Sequence, residues 1–255
     1  MPAHPRISVN SISSLRQPFE DDLVLWSDLG VSHVGLTSPK LEAAGWDASR
    51  KAVLDAGLQV SSLSAFRDEP IDWEFASAVG CGVLSTVSGG AGTVPWEEAA
   101  ATFCAEMAPF VEQAAEAGVR VAVEPTNPLR SDVSFVHSVR DATDLARMAG
   151  IGVVVDFYSS WYERGLDRRL RDNIDLVAVV QICDYRLGTY DMPNRCAIGD
   201  GDLPVERLLA TVLDAGYTGP FDLEIVGPVI EAEGYREPIR RSIERAGEML
   251  TRLGA

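Results

Sequence analysis

The sequence predicts an α/β protein, a single-domain (β/α)₈ TIM barrel that spans residues 1–255. Eight short apolar runs are each followed by a helical pattern, and the length of 255 residues is close to the ~250 typical of this barrel. The runs are almost entirely apolar, as strands buried on both faces of a parallel sheet require. A doubly wound open sheet could carry such strands too, but no glycine-rich phosphate loop follows the first strand.

Each strand and helix of this barrel is predicted from local pattern, in chain order. The apolar runs that predict strands lie at 6–10, 31–36, 58–63, 82–87, 119–124, 151–156, 176–182 and 219–224. Helical spacing of apolar residues predicts helices at 18–29, 47–56, 73–79, 95–117, 139–149, 166–174, 204–215 and 238–253. The longest helix starts at Pro95 and ends before Gly118, which matches the residue preferences of helix termini.

The charge balance of the chain indicates which classes of partner it can bind. The chain has 22 basic and 38 acidic residues, a net charge of −16, which opposes binding to nucleic-acid phosphates or an anionic membrane. No window approaches the ~20 apolar residues of a membrane span. We therefore expect a small-molecule partner, with no nucleic acid and no membrane.

The spacing of the four cysteines indicates the cellular compartment. They form no C-x-x-C pair and have no histidine at zinc-finger spacing, which predicts neither a disulfide framework nor a structural zinc site. Residues 1–10 lack the apolar core of a signal peptide. These patterns favour a reducing, cytoplasmic location.

Four oxygen-bearing side chains lie at the ends of the last four predicted strands. They are Glu124, Asp156, Gln181 and Glu224, separated by 32, 25 and 43 residues, so that each interval spans one strand–helix unit. The carboxyl ends of barrel strands meet at one mouth, where active sites form. One such carboxylate could simply cap the next helix, but four in register predict a common site.

Three carboxylates and a carboxamide are hard oxygen donors. Such a set suits Mn²⁺ or Mg²⁺ first, with Co²⁺ or Zn²⁺ as alternatives. Without a cation, three clustered carboxylates would repel one another and their pKa values would shift strongly. We therefore expect one divalent metal.

The most specific motif is Gln181-Ile-Cys-Asp184 followed by Arg195-Cys-Ala-Ile-Gly-Asp-Gly-Asp202. With the other strand ends it resembles the xylose isomerase-like TIM-barrel superfamily of sugar phosphate isomerases and epimerases, over nearly the whole chain. The motif is most similar to the hydroxypyruvate isomerase, inosose dehydratase and 3-dehydroshikimate dehydratase branches, which are similar in using Gln where ketose 3-epimerases have His. The resemblance implies that the four strand-end residues bind one metal and that Arg195 contacts the substrate.

The resemblance also implies a reaction on a small carbohydrate or polyol-like carbonyl compound. Glu124 and Glu224 would transfer a proton beside the carbonyl through a metal-stabilised enediolate, as in an isomerase or epimerase. The alternative is a metal-dependent lyase or dehydratase acting on a keto sugar, an inosose or a dehydroshikimate-like compound. Barrels of this family often pair through helix faces, so a homo-oligomer is compatible with the resemblance.

Three further residues are candidates for substrate binding. Lys40 follows the second strand, Asp184 ends the motif strand and His137 lies in the loop after the fifth strand; a solvated loop Lys, turn chemistry and a helix cap are their alternatives. Ser159 stands where many relatives carry His, the one feature that favours a non-catalytic barrel. A DNA-repair endonuclease on this fold needs a His-rich zinc cluster and a basic groove, and the three scattered histidines and the acidic charge oppose both.

Overall fold

Eight parallel strands close into a barrel in the computed structural model, which describes residues 3–255. Each strand pairs with the next along the chain, and the last pairs with the first. Residues 1 and 2 of the predicted domain lie outside the described residues. The strands are β1 Ile7–Asn10, β2 His33–Thr37, β3 Gln59–Ser64, β4 Val83–Thr86, β5 Arg120–Val123, β6 Gly152–Asp156, β7 Val177–Ile182 and β8 Phe221–Leu223.

Eleven α-helices are described, and most of them surround the barrel. They are α1 Phe19–Leu29, α2 Ser38–Ala44, α3 Trp46–Asp55, α4 Trp73–Ala78, α5 Trp96–Glu116, α6 Val139–Ala149, α7 Phe157–Ser160, α8 Leu166–Asp172, α9 Val205–Asp214, α10 Pro228–Glu233 and α11 Arg236–Arg252. Short 3₁₀ helices cover Ser11–Ser14 and Pro128–Arg130. None of the helices described over residues 3–255 is both long and apolar enough to cross a membrane.

The main core lies between the barrel and its helices. Its largest fully buried side chains include Trp26, Phe75, Phe103, Phe157 and Phe221. Burial of apolar surface, aliphatic as well as aromatic, is the dominant favourable term in folding such a barrel. The helices are thereby held in fixed positions around the strands, and the strand ends that carry the candidate site are fixed with them.

The inside of the barrel is partly polar. Asn10 on β1 donates to Asp222 Oδ2 on the neighbouring strand β8 at 2.7 Å, and both residues are buried. A Cβ at Gly35 would collide with both side chains. Gly35 is therefore required by a close approach inside the barrel.

The structure confirms the predicted barrel and its eight strand–helix units. The predictions omitted α2, α7 and α10 and both 3₁₀ helices, because these segments are short and α2 and α7 begin directly at a strand end. The omission has one consequence for the site: Lys40 lies in α2 and is 9% exposed, so the solvated-loop interpretation of this residue was wrong.

Candidate active site

A large cavity opens at the carboxyl ends of the strands. Its volume is about 720 Å³. Glu124 follows β5, Asp156 ends β6 and Glu224 follows β8, and all three line it together with Arg195. The strand ends thus bring three predicted site carboxylates and the predicted substrate-binding arginine to one cavity.

The Arg195 guanidinium lies between two of these carboxylates. Its Nη2 donates to Asp156 Oδ2 at 2.9 Å, and its Nη1 lies 2.8 Å from Glu224 Oε1. The guanidinium carbon is 4.8 Å from the centre of the Tyr158 ring, a cation–π distance. Arg195 therefore neutralises part of the negative charge that the strand ends concentrate here.

The Gln181 side chain lies beside Glu224, behind the cavity wall. Its Nε2 donates to Glu224 Oε2. Its Oε1 is buried and has no hydrogen-bond partner, which is costly for a polar atom. Gln181 is also close enough to Glu124 to lower the pKa of that carboxyl, so the amide stands between two glutamates.

The pKa values of the buried carboxyls are shifted upward. Burial, then the charges of Glu224 and Asp156, raise the pKa of Glu124 well above its ordinary value. Burial raises the pKa of Glu224 to about 7, although Arg195 opposes the shift. Burial also raises the pKa of Asp156. Raised carboxyl pKa values are what acid/base exchange near neutral pH requires.

The residues fit a divalent metal in their chemistry. Three carboxylates and the unpartnered Gln181 Oε1 offer hard oxygen donors of the kind such ions prefer. No three His, Cys, Asp or Glu side chains among residues 3–255 are arranged closely enough to hold an ion. Asp156 Oδ1 accepts from the Tyr158 amide at 3.0 Å, while its Oδ2 and Glu224 contact Arg195. Asp156 therefore caps the helix that follows β6 and also lines the predicted site.

Lys40 also lines the cavity, but its ammonium group is turned towards the protein. Nζ donates to the carbonyl oxygens of Ser11 and Ser14 at 3.1 and 3.0 Å and pairs with the buried Asp22. Lys40 therefore fixes the 3₁₀ helix after β1, and its charge is engaged away from the cavity.

Asp184 organises the loop that follows β7. Its Oδ1 accepts from the amides of Tyr185 and Leu203 at 2.8 and 3.0 Å, and its Oδ2 from those of Gly199 and Gly201 at 2.9 and 3.1 Å. A Cβ at Gly201 would collide with the carboxylate. The Asp184 side chain thus joins the two parts of the motif, residues 181–184 and residues 199–202. Asp184 itself lies outside the cavity lining.

His137 and Ser159 both contact the segment after β5. His137 Nδ1 lies 3.1 Å from the Thr126 carbonyl oxygen, and the residue is not part of the cavity lining. Ser159 lines the cavity and donates to the Pro125 carbonyl oxygen at 2.7 Å. Ser159 thereby ties the end of β6 to the end of β5.

Ser13 was not predicted from the sequence as part of the site. Ser13 Oγ donates to the Leu223 carbonyl oxygen and accepts from the Ile225 amide, both at 3.0 Å. These two bonds fix the backbone on either side of Glu224. No pattern in the sequence connects positions 13 and 224, and only closure of the barrel between β1 and β8 brings them together.

Comparison with known proteins gives one family. The family model described as xylose isomerase-like TIM barrel matches residues 25–246. Comparison with curated proteins gives no match.

Solved structures with this fold include two named for different activities and one named with its bound metal. The IolI protein with a bound zinc atom has a TM-score of 0.82 and 15% identity, covering 97% of this chain and 99% of that one. The 3-keto-D-glucoside 4-epimerase YcjR from E. coli has a TM-score of 0.69 and 17% identity, covering 92% and 97%. The probable 3-DHS dehydratase AsbF from Bacillus anthracis has a TM-score of 0.71 and 12% identity, covering 96% and 98%.

At these identities the solved structures establish a shared fold and leave the reaction open. The family model covers most of the chain, from α1 to α11, and includes all four strand-end residues. The chain belongs to the xylose isomerase-like TIM barrel family.

Proposed function

We propose that the protein is a divalent-metal-dependent isomerase or epimerase of a small polyhydroxylated carbonyl compound. The observation that carries the proposal is the convergence of Glu124, Asp156 and Glu224 on one cavity, with Arg195 between two of them. Proton transfer beside a carbonyl needs a carboxylate that faces the reacting carbon and groups that stabilise the charge that develops on oxygen. This cavity offers both.

Glu124 is the proposed base because of its surroundings. Among residues 3–255 it forms no salt bridge, whereas Asp156 and Glu224 share the Arg195 guanidinium. All three carboxylates would share the metal, and Glu124 is the one of the three that does not also pair with Arg195, so it accepts a proton more readily than the other two. Glu124 would remove the proton from the carbon, and Glu224, on the far side of Gln181, would return it.

Arg195 is the proposed binder of the substrate oxygens. Its Nη2 and Nη1 already hold two carboxylate oxygens, and the flat guanidinium can donate to further oxygens as charge builds on the carbonyl. The Tyr158 ring against its face restricts its orientation. Glu124, Asp156, Gln181 and Glu224 would hold the metal, which supplies Lewis-acid polarisation of the carbonyl when bound.

A lyase or dehydratase is the second candidate. The same proton removal beside a leaving hydroxyl would end in elimination rather than in return of the proton. Gln181 favours this alternative, since it stands where ketose 3-epimerases have His, and so does the likeness to a probable 3-DHS dehydratase. Both candidates use the same residues for the first step.

Exchange of substrate protons with D₂O tests the proposal. The Mn²⁺-supplemented protein is incubated with ketoses, inososes and 3-keto sugars, and the carbon next to the carbonyl is followed by NMR. Exchange without loss of water supports the isomerase, and exchange with loss of water supports the lyase. Absence of exchange and of product across the panel would contradict both.

A further inference from the structure

The cavity has two chemically different halves. The charged cluster lies at the carboxyl ends of β5, β6 and β8, whereas the segments that follow β1, β2 and β3 contribute a group of apolar side chains beside polar ones such as Arg16 and Glu20. Six of the apolar side chains form what we call the apolar wall: Ile12, Leu15, Phe19, Ala43, Ala65 and Phe66. Two of them leave almost half of their surface exposed, Leu15 at 46% and Phe66 at 49%.

Three long polar side chains on the same side keep their polar ends bonded to the protein. Lys40 binds carbonyl oxygens and Asp22, Gln17 Nε2 donates to Asp22 at 3.3 Å, and Glu69 Oε2 accepts from the Phe66 amide at 2.8 Å. The polar ends of these three residues are therefore not free to bind a ligand beside the apolar wall.

The cavity is larger than a free sugar needs. A hexose has about 12 non-hydrogen atoms, and if each takes at most the ~30 Å³ of a water molecule the sugar fills roughly 360 Å³. The cavity has about 720 Å³. About half of it is left over, and a ligand bound at the carboxylates leaves the apolar wall free.

We propose that the substrate is amphiphilic, with a hydroxylated carbonyl portion at the carboxylates and an apolar group, such as an aromatic ring, against the apolar wall. The inference rests on the proposed function for the polar portion. The occupant of the wall is part of the substrate because the wall and the carboxylates line one continuous cavity. Exposed apolar side chains inside a cavity gain most from a ligand that removes them from water.

Binding of two glycosides that differ only in their apolar group tests this inference. Calorimetric titration compares phenyl β-D-glucoside with methyl β-D-glucoside on the Mn²⁺-supplemented protein. Burial of the phenyl ring against the apolar wall should make the phenyl glycoside bind roughly 10-fold tighter, or more, than the methyl glycoside. Phe66→Ala and Leu15→Ala should each reduce this ratio by about 3-fold or more, and both side chains are exposed enough for the fold to tolerate the change.

A matched control is Leu54→Ala. Leu54 is 53% exposed, lies on α3 outside the cavity, and its replacement should leave the ratio unchanged. Equal affinities for the two glycosides, including no measurable binding of either, would overturn the inference, as would equal effects of all three variants. The ratio of the two affinities is measured without turnover, so its outcome is independent of the exchange assay. Exchange on unsubstituted ketoses, without a preference for the phenyl glycoside, would leave the proposed function intact and contradict only the proposed apolar group of the substrate.

Discussion

Replacing Asp184 by Asn tests whether one carboxylate holds the loop after β7. Its two oxygens accept four backbone N–H groups, from Tyr185, Gly199, Gly201 and Leu203. An Asn amide keeps one oxygen and places an NH₂ group against two of these donors. Each buried donor left without a partner costs ~1–3 kcal/mol, so we expect a loss of about 2 to 6 kcal/mol. That is a large part of the ~5–15 kcal/mol by which a typical protein is stable.

Urea unfolding followed by circular dichroism measures this loss, and amide hydrogen exchange at Gly199 and Gly201 locates it. Asp202→Asn is the matched control, because Asp202 is exposed and, among residues 3–255, accepts one hydrogen bond, from the Leu187 amide at 2.9 Å. We expect that control to cost less than ~1 kcal/mol. Equal losses in the two variants, or unchanged protection at the two glycines in Asp184→Asn, would refute the reasoning.

Three further predictions concern the barrel interior and the site. Burial raises the pKa of Asp222 to about 6, so the folded state binds the proton more tightly and the carboxyl increasingly destabilises the fold as pH rises from ~4 through 6. Unfolding experiments should show that Asp222→Asn gains about 1.5 kcal/mol of stability over wild type between pH 5 and pH 8, and the absence of any gain would contradict the prediction. Ser13→Ala removes both bonds that fix the backbone around Glu224 and should lower kcat of the exchange reaction more than it raises KM, which steady-state kinetics would contradict if only KM changed. Mn²⁺ should raise the melting temperature of wild type in a calorimetric scan and should raise that of Glu224→Gln less, whereas equal increases would argue against this ligand.

The fold could be predicted from the sequence because its signals are local. Apolar runs, helical spacing and glycines after helices each act within a few residues, and together they specify eight strand–helix units. The short helix α10 was not predicted, since six residues carry too little periodicity. Lys40 was assigned to a loop because α2 follows β2 without a break.

The candidate site was predictable only in part. The strand ends Glu124, Asp156 and Glu224 were found because the barrel places such positions at one mouth. The direction of a side chain depends on partners far away in the chain, and it was not predictable: the Lys40 ammonium is bonded to Asp22 and Asp184 to amides 15 to 19 residues further on. Their assignment to substrate binding stays a prediction without geometric support.

The most direct test of the central claim is the rate of substrate deuterium exchange in Glu124→Gln. Gln keeps the size of the side chain but cannot accept the proton, so we expect the rate to fall by ~10²-fold or more, with folding and Mn²⁺ binding measured alongside. The matched control is Glu163→Gln, a carboxyl whose pKa burial also raises but which lies outside the cavity lining, and it should exchange at the wild-type rate. Wild-type exchange in Glu124→Gln would contradict the account.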